Sequence, residues 1–317
     1  MKRPEKHLKA AVLLSVLFLG ACELEELTIL DPPSTLVAEV YLRVNDGIPD
    51  AVALVHRSRG VGSSGDADAI VEVKGPDGRS VRLQPVQAAE CMDDAVPRRF
   101  PLSCHRLAGE AAEFIRPGAH LQVVVTASSG GVLRGETVVP GDFQLRVPES
   151  LLTPCGLAPG ELLDVRWSRA RGAWAYVPEV HIEGLSEAFA PMGVEVPPGP
   201  LTLLALAVSE ADTTVTLPAE FGVFNRFNGD QDLLRALQNG FPPGPVKGRV
   251  LVSAWDRNAV NWNRVGGFNP SGTPRSPSLW GEGGTGVVAA VVNRSFDFFV
   301  DEPGGGARCA PSGAREG

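Results

Sequence analysis

The chain has 317 residues and a formal net charge of -8, with 29 Lys and Arg against 37 Asp and Glu. That acidic balance excludes the broad basic face that phosphate backbones require, so nucleic acid is not an expected partner. With 36 Gly and 27 Pro, long helices are excluded as the main element, and Val-rich runs between Gly, Pro and Asp clusters predict a mostly β protein.

The N-terminus divides into zones. Lys2, Arg3, Lys6 and Lys9 form a basic head, and Ala10 to Leu19 is apolar apart from Ser15. A helix crossing hydrocarbon needs about 20 apolar residues. This run is too short, and Glu23, Glu25 and Glu26 follow at once. Residues 1–21 are therefore expected to be an export signal. Leu19-Gly20-Ala21-Cys22 resembles the lipobox of bacterial lipoproteins. The resemblance implies cleavage before Cys22, acylation of its thiol and attachment to a membrane by lipid. Cleavage would remove Lys2, Arg3, Lys6, Lys9 and Glu5, a net of three positive charges, taking the chain from -8 to -11. The acyl chains would then hold an anionic bilayer without electrostatic help. Residues 22–35, ending near Asp31-Pro32-Pro33, are expected to form an acidic tether.

About 295 residues follow the signal, enough for two ordinary domains. The first is expected over residues 36–140. Leu36 to Leu42 alternates as a strand, Asn45-Asp46-Gly47 supplies a turn, and Ala51 to His56 gives a second strand. Gly60 to Asp66 is expected to be a flexible loop. Ile70 to Lys74 is a third strand, and Gly75-Pro76-Asp77-Gly78 turns it into a hairpin partner over Ser80 to Pro85. Proline presets φ there and glycine accepts positive φ. Leu121 to Ala127 and Val132 to Val139 are joined by Ser128-Ser129-Gly130-Gly131. Short strands at this spacing predict an immunoglobulin-like sandwich.

A second domain is expected over residues 141–302. Leu162 to Ser168 and Ala170 to Val177, which contain Trp167 and Trp174, resemble the B and C strands of a fibronectin type III domain. That resemblance implies fold alone and places Trp167 in the core. Leu201 to Val208, Thr213 to Leu217 and Arg249 to Trp255 read as further strands. Gly286 to Val292 and Ser295 to Val300 close the domain. One short helix is expected, capped by Asp230 or Asp232, with Leu233, Leu234 and Leu237 as its apolar face and Asn239-Gly240 as its stop. The fold class is thus mostly β, two tandem immunoglobulin/fibronectin-like β-sandwiches with one short helix in the second. A disordered tail is expected over residues 303–317.

With Cys22 assigned to lipid, Cys91, Cys104, Cys155 and Cys309 remain. An even number in an exported chain predicts two disulfides. Of the three possible pairings, Cys91 with Cys104 is favoured because both lie in one polar excursion, and Cys155 with Cys309 follows. None of the spacings is C-x-x-C, which argues against zinc or redox chemistry.

Gly281-Glu282-Gly283-Gly284-Thr285-Gly286 satisfies G-x-G-x-x-G, but a dinucleotide site needs a helix after the glycines. The β-branched run Val287 to Val292 predicts a strand, so the motif is expected to be a turn. His56, His105, His120 and His181 are scattered, and no H-E-x-x-H or G-x-S-x-G occurs. No cofactor, metal or catalytic role is expected. Three of the five Trp lie between residues 255 and 280. Trp255, Arg257, Trp262, Arg264 and Trp280 are candidate binding residues, because indole faces with guanidinium and amide donors suit sugars or a protein partner. The competing expectation is a long loop whose Trp residues cover an open end of the sandwich.

Taken whole, the chain resembles an uncharacterised family of Gram-negative outer-membrane lipoproteins, a domain of unknown function whose members often accompany TonB-dependent transporters. The resemblance rests on the lipobox, Leu36 to Leu42, Ala53-Leu54-Val55-His56-Arg57, Pro117-Gly118, Gly135-Glu136-Thr137-Val138-Val139-Pro140 and Gly283-Gly284-Thr285-Gly286-Val287-Val288. It implies an outer-membrane protein, periplasmic or surface-exposed, and no catalytic residues. The expected function is a non-catalytic binding or adaptor module, with glycan or small-ligand binding through Trp255–Trp280 as the alternative.

Overall fold

Alternation writes the first strands. Leu36, Ala38, Val40, Leu42 and Val44 are buried while the residues between them are half-buried, giving β1 (Leu36–Asn45) one core face. Asp46 and Gly47 both take positive φ and return the chain as β2 (Ile48–Arg57), in antiparallel register from Leu36↔Arg57 to Asn45↔Ile48. β3 (Ala69–Lys74) turns at Gly78 into β4 (Ser80–Arg82). One strand was expected over Ser80 to Pro85. The chain instead bends at buried Leu83, so that β4 pairs with β3 while β5 (Gln84–Val86) pairs with β6 (Ser103–Arg106). β7 (His120–Ala127) and β8 (Val132–Val138) form the expected antiparallel pair.

The computed structural model describes residues 35–58, 68–91, 102–108, 112–128, 130–146, 154–207, 209–224, 226–264, 276–300 and 308–309. The signal segment, Cys22, the tether up to Ser34, the Gly60 to Asp66 loop and the tail from Pro303, apart from Arg308 and Cys309, lie outside them. So does the side chain of Arg264. Among the described residues no helix is long and apolar enough to cross a membrane.

The C-terminal half continues with β9 (Cys155–Leu157), β10 (Leu163–Arg166), β11 (Ala175–Glu183), helix α1 (Leu185–Phe189), β12 (Leu201–Leu204), β13 (Thr214–Leu217) and β14 (Gly222–Val223). Helix α2 (Asp230–Leu237) is the expected one. It buries Leu233 and Leu237, and Gly229 rather than an Asp side chain stands at its N-cap. β15 (Lys247–Trp255), helix α3 (Arg257–Arg264), β16 (Leu279–Gly281) and β17 (Gly284–Val300) complete the chain.

β17 organises everything else. Two strands were expected over its length, but it runs unbroken for 17 residues. Its first part pairs in parallel with β1 and, on the other edge, with β16. Its second part pairs with β15 and β9. The burial pattern follows: Gly286 to Ala290 are buried in succession, covered on both faces, whereas Phe296, Phe298 and Val300 alternate with half-buried neighbours. Strands from before and after Gly141 thus join one sheet through β17. From β17 the pairing runs through β1, β2, β6 and β5, across Leu83 to β4, then β3, β7, β8 and β16 back to β17, a nearly closed circuit. β14, β12, β11 and β15 extend the same sheet from its other end, and β10 pairs with β13 separately. One hydrophobic cluster runs from Leu36 to Cys309.

Trp167 is buried, 5.3 Å from the Tyr176 ring, whose hydroxyl accepts a hydrogen bond from the Ala170 amide at 2.8 Å. The two expected cysteine pairs form. Cys91–Cys104 spans 6.1 Å between Cα atoms, and Cys155–Cys309 spans 4.9 Å across 154 residues of sequence.

Candidate functional site

The outward face of β7, β8 and β16 carries an open, ligand-sized surface. Along β8, Leu133, Gly135 and Thr137 point inward while Arg134, Glu136 and Val138 face solvent; Gln122 does the same on β7. Register places Trp280 of β16 directly opposite Arg134, and Glu136 opposite Gln122. The strands approach this closely because of glycine. A Cβ on Gly281 would collide with the Val132 carbonyl, and one on Gly135 with the Ser278 carbonyl. Gly283, at φ +73°, turns β16 into β17 within two residues. The G-x-G-x-x-G sequence is thus a hairpin followed by a strand.

Gln122, Val124, Arg134, Glu136, Ser278 and Trp280 line an open groove of about 570 Å³. Trp280 is 70% exposed. Glu136 is held on both oxygens: the Gln122 amide donates to Oε1 at 2.8 Å, and His120 Nε2 stands 3.4 Å from Oε2. Among the described residues the Arg134 side chain makes no hydrogen bond or ion pair. Its side chain lines the groove.

A second hollow of about 340 Å³ adjoins the first through Glu136 and is bordered by His120, Val138, Trp174, Arg257 and Asn258. Trp174 is 45% exposed, and Arg257 lies over its ring at 5.1 Å. Asp256 sits at the bottom. Burial pushes its carboxyl above the ordinary range, against hydrogen bonds from the Thr137 hydroxyl and the Ala259 amide. Such a shift in a hollow is a signal for acid–base chemistry. Here both carboxylate oxygens are engaged, and the Ala259 bond caps α3 from its N-terminus. Asn258 fastens the same helix to the sheet, donating to the carbonyls of Glu136 (2.9 Å) and Val288 (3.0 Å).

The structure separates the five candidates chosen from sequence. The stretch expected to be a loop begins as α3, an amphipathic helix laid on the outer face of β17 and β1. Ala259 and Trp262 pack there on Val287 and Ala289, with Tyr41 and Trp255 beside them. Trp262 is 7% exposed and Trp255 half-buried. Trp280 and Arg257 reach the open face. Trp174 was not among the candidates; only the fold brings it beside β8. Among the described residues, no three His, Cys, Asp or Glu side chains gather as metal ligands.

No protein-family model matches this chain, and no curated protein sequence does. Among solved structures it is similar to a DUF4785 family protein from Legionella pneumophila, with 13% identity and a TM-score of 0.23 over 68% of this chain. The chain spans 51% of that protein, about half its length. A likeness of that size carries no argument about fold or function.

Proposed function

We propose that the protein is a lipid-anchored, non-catalytic binding module of the outer membrane, and that the outward face of β7, β8 and β16 is its binding surface. The observation that carries it is Trp280, largely exposed beside the unengaged Arg134 at a groove whose other polar groups are fixed in place. Exposing an indole to this extent forgoes about 3–4 kcal/mol of burial, and Trp and Arg are the side chains that dominate binding surfaces. Acylation of Cys22 would supply the membrane attachment, and the lipobox supports it. The family resemblance supports service to a TonB-dependent transporter or another envelope protein. Within this proposal, the strand circuit and the C-terminal layers are two immunoglobulin/fibronectin-like sandwich lobes spliced through β17.

The test is capture from membranes solubilised in mild detergent, comparing the wild type with a Trp280→Ala, Arg134→Ala double variant. The wild type should retain an envelope component that the folded double variant loses. Equal capture by both would remove the binding role from this face.

A further inference from the structure

We infer that the occupant of this face is an extended, uncharged oligosaccharide lying along β8, stacked on Trp280 at one end and on Trp174 at the other. The inference rests on the proposed binding surface and names its ligand class. Glu136 lines both hollows, so they lie side by side along β8. Trp280 flanks Arg134, and Trp174 borders the hollow at Val138. From Arg134 to Val138 is four residues of extended strand, about 14 Å. A single sugar ring reaches one indole; a chain of several reaches both.

The groups between the indoles suit hydroxyls. Gln122 and Glu136 offer an amide and a carboxylate locked to each other at 2.8 Å, and His120 adds ring nitrogens while Asn258, its amide hydrogens committed to the sheet, adds an acceptor oxygen. Such groups can donate and accept along a sugar edge with little ordering left to do at binding. Charge points the same way: Arg134 and Arg257 stand beside Glu136, with Asp256 buried below, too small a surplus to select a polyanion or polycation. A protein hot spot would gather its aromatic side chains into one dry centre. Here the two indoles stand apart, with polar groups between them. Arg257 over Trp174 steadies that ring, as a fixed platform requires.

The experiment titrates full-length, detergent-solubilised protein with cellohexaose, maltohexaose, xylohexaose and chitohexaose, each against its disaccharide, by calorimetry and by indole fluorescence. At least one hexasaccharide should bind, and at least tenfold more tightly than its disaccharide. Trp174→Ala and Trp280→Ala should each abolish that length dependence, because either variant leaves one platform for a single end of the chain. Failure of all four hexasaccharides, or equal affinity for two rings and six, overturns the inference. If Trp174→Ala lowers the thermal melt, the length dependence of the wild type decides alone. Sugar failure with capture of an envelope component still lost in the Trp280, Arg134 double variant would refute the glycan and leave the binding face standing. Failure of both would refute both.

Discussion

Trp262→Ala and Trp280→Ala remove the same side chain eighteen residues apart, and the structure predicts opposite consequences. Trp262 is 7% exposed between α3 and the β17–β1 surface, against Ala259, Val287 and Ala289. A buried Trp hides about 150–250 Å², which at about 25 cal/mol per Å² is about 4–6 kcal/mol. A compact denatured state trims that by about 10–40%. The expected loss is therefore about 3–5 kcal/mol, in the range of large-to-small core substitutions. Trp280 is 70% exposed, so its loss should stay within about 0.5 kcal/mol. Urea denaturation followed by far-UV circular dichroism measures both. A Trp262→Ala midpoint indistinguishable from wild type would show that α3 does not pack on the sheet as described. A large drop for Trp280→Ala would show that Trp280 belongs to the core, and the binding face would go with it.

Other perturbations test the parts around this surface. Gly281→Ala should drive β16 away from the Val132 carbonyl, lower stability by about 1–3 kcal/mol and displace Trp280; denaturation together with binding measurements would register both effects. Replacing Cys155 and Cys309 together by Ala opens a closure across 154 residues and should cost about 3–5 kcal/mol, more than the same change at Cys91 and Cys104, which are 13 apart; guanidinium midpoints under oxidising conditions compare them. His105 is buried in β6, and burial holds its imidazole below the ordinary value of 6.5 against the pull of Asp68. The unfolded chain then binds its proton first, so stability present at neutral pH should fall as pH drops below about 6.5, levelling once the folded form also protonates. His105→Gln should reduce that part of the urea-midpoint slope, leaving the share of His56, whose imidazole burial also lowers; an unchanged slope would remove His105 as a source.

Much of the fold is written in alternation. Leu36 to Val44, His120 to Ala127 and Val132 to Val138 each bury every second residue, and Leu233 with Leu237 marks the one helix expected from sequence. What alternation could not reveal is partnership. Val287 to Val292 is apolar on both faces because the core lies beneath it and α3 above it, and an apolar run says nothing of what covers it. Nor does it tell that the same strand continues to Val300 beside β15. Helix α3 did leave a trace, since Asp256 stands in capping position before Ala259 and Trp262, an apolar pair spaced by three. The density of Asn and Trp drew attention toward ligand chemistry instead. Of the proposed binding face, Trp280 was legible as an aromatic beside polar neighbours. Trp174 was not, because it reaches β8 only through tertiary packing.

The most direct test of the binding face needs no knowledge of its occupant. Hydroxyl-radical oxidation, read by peptide mass spectrometry, would compare the protein in intact envelopes with the purified protein. Trp280 and Trp174 should be oxidised in the purified protein and protected in the envelope, while Met192 and Phe224, exposed elsewhere, react equally in both. Equal oxidation of Trp280 in the two states, or protection confined to Met192 and Phe224, would contradict the account.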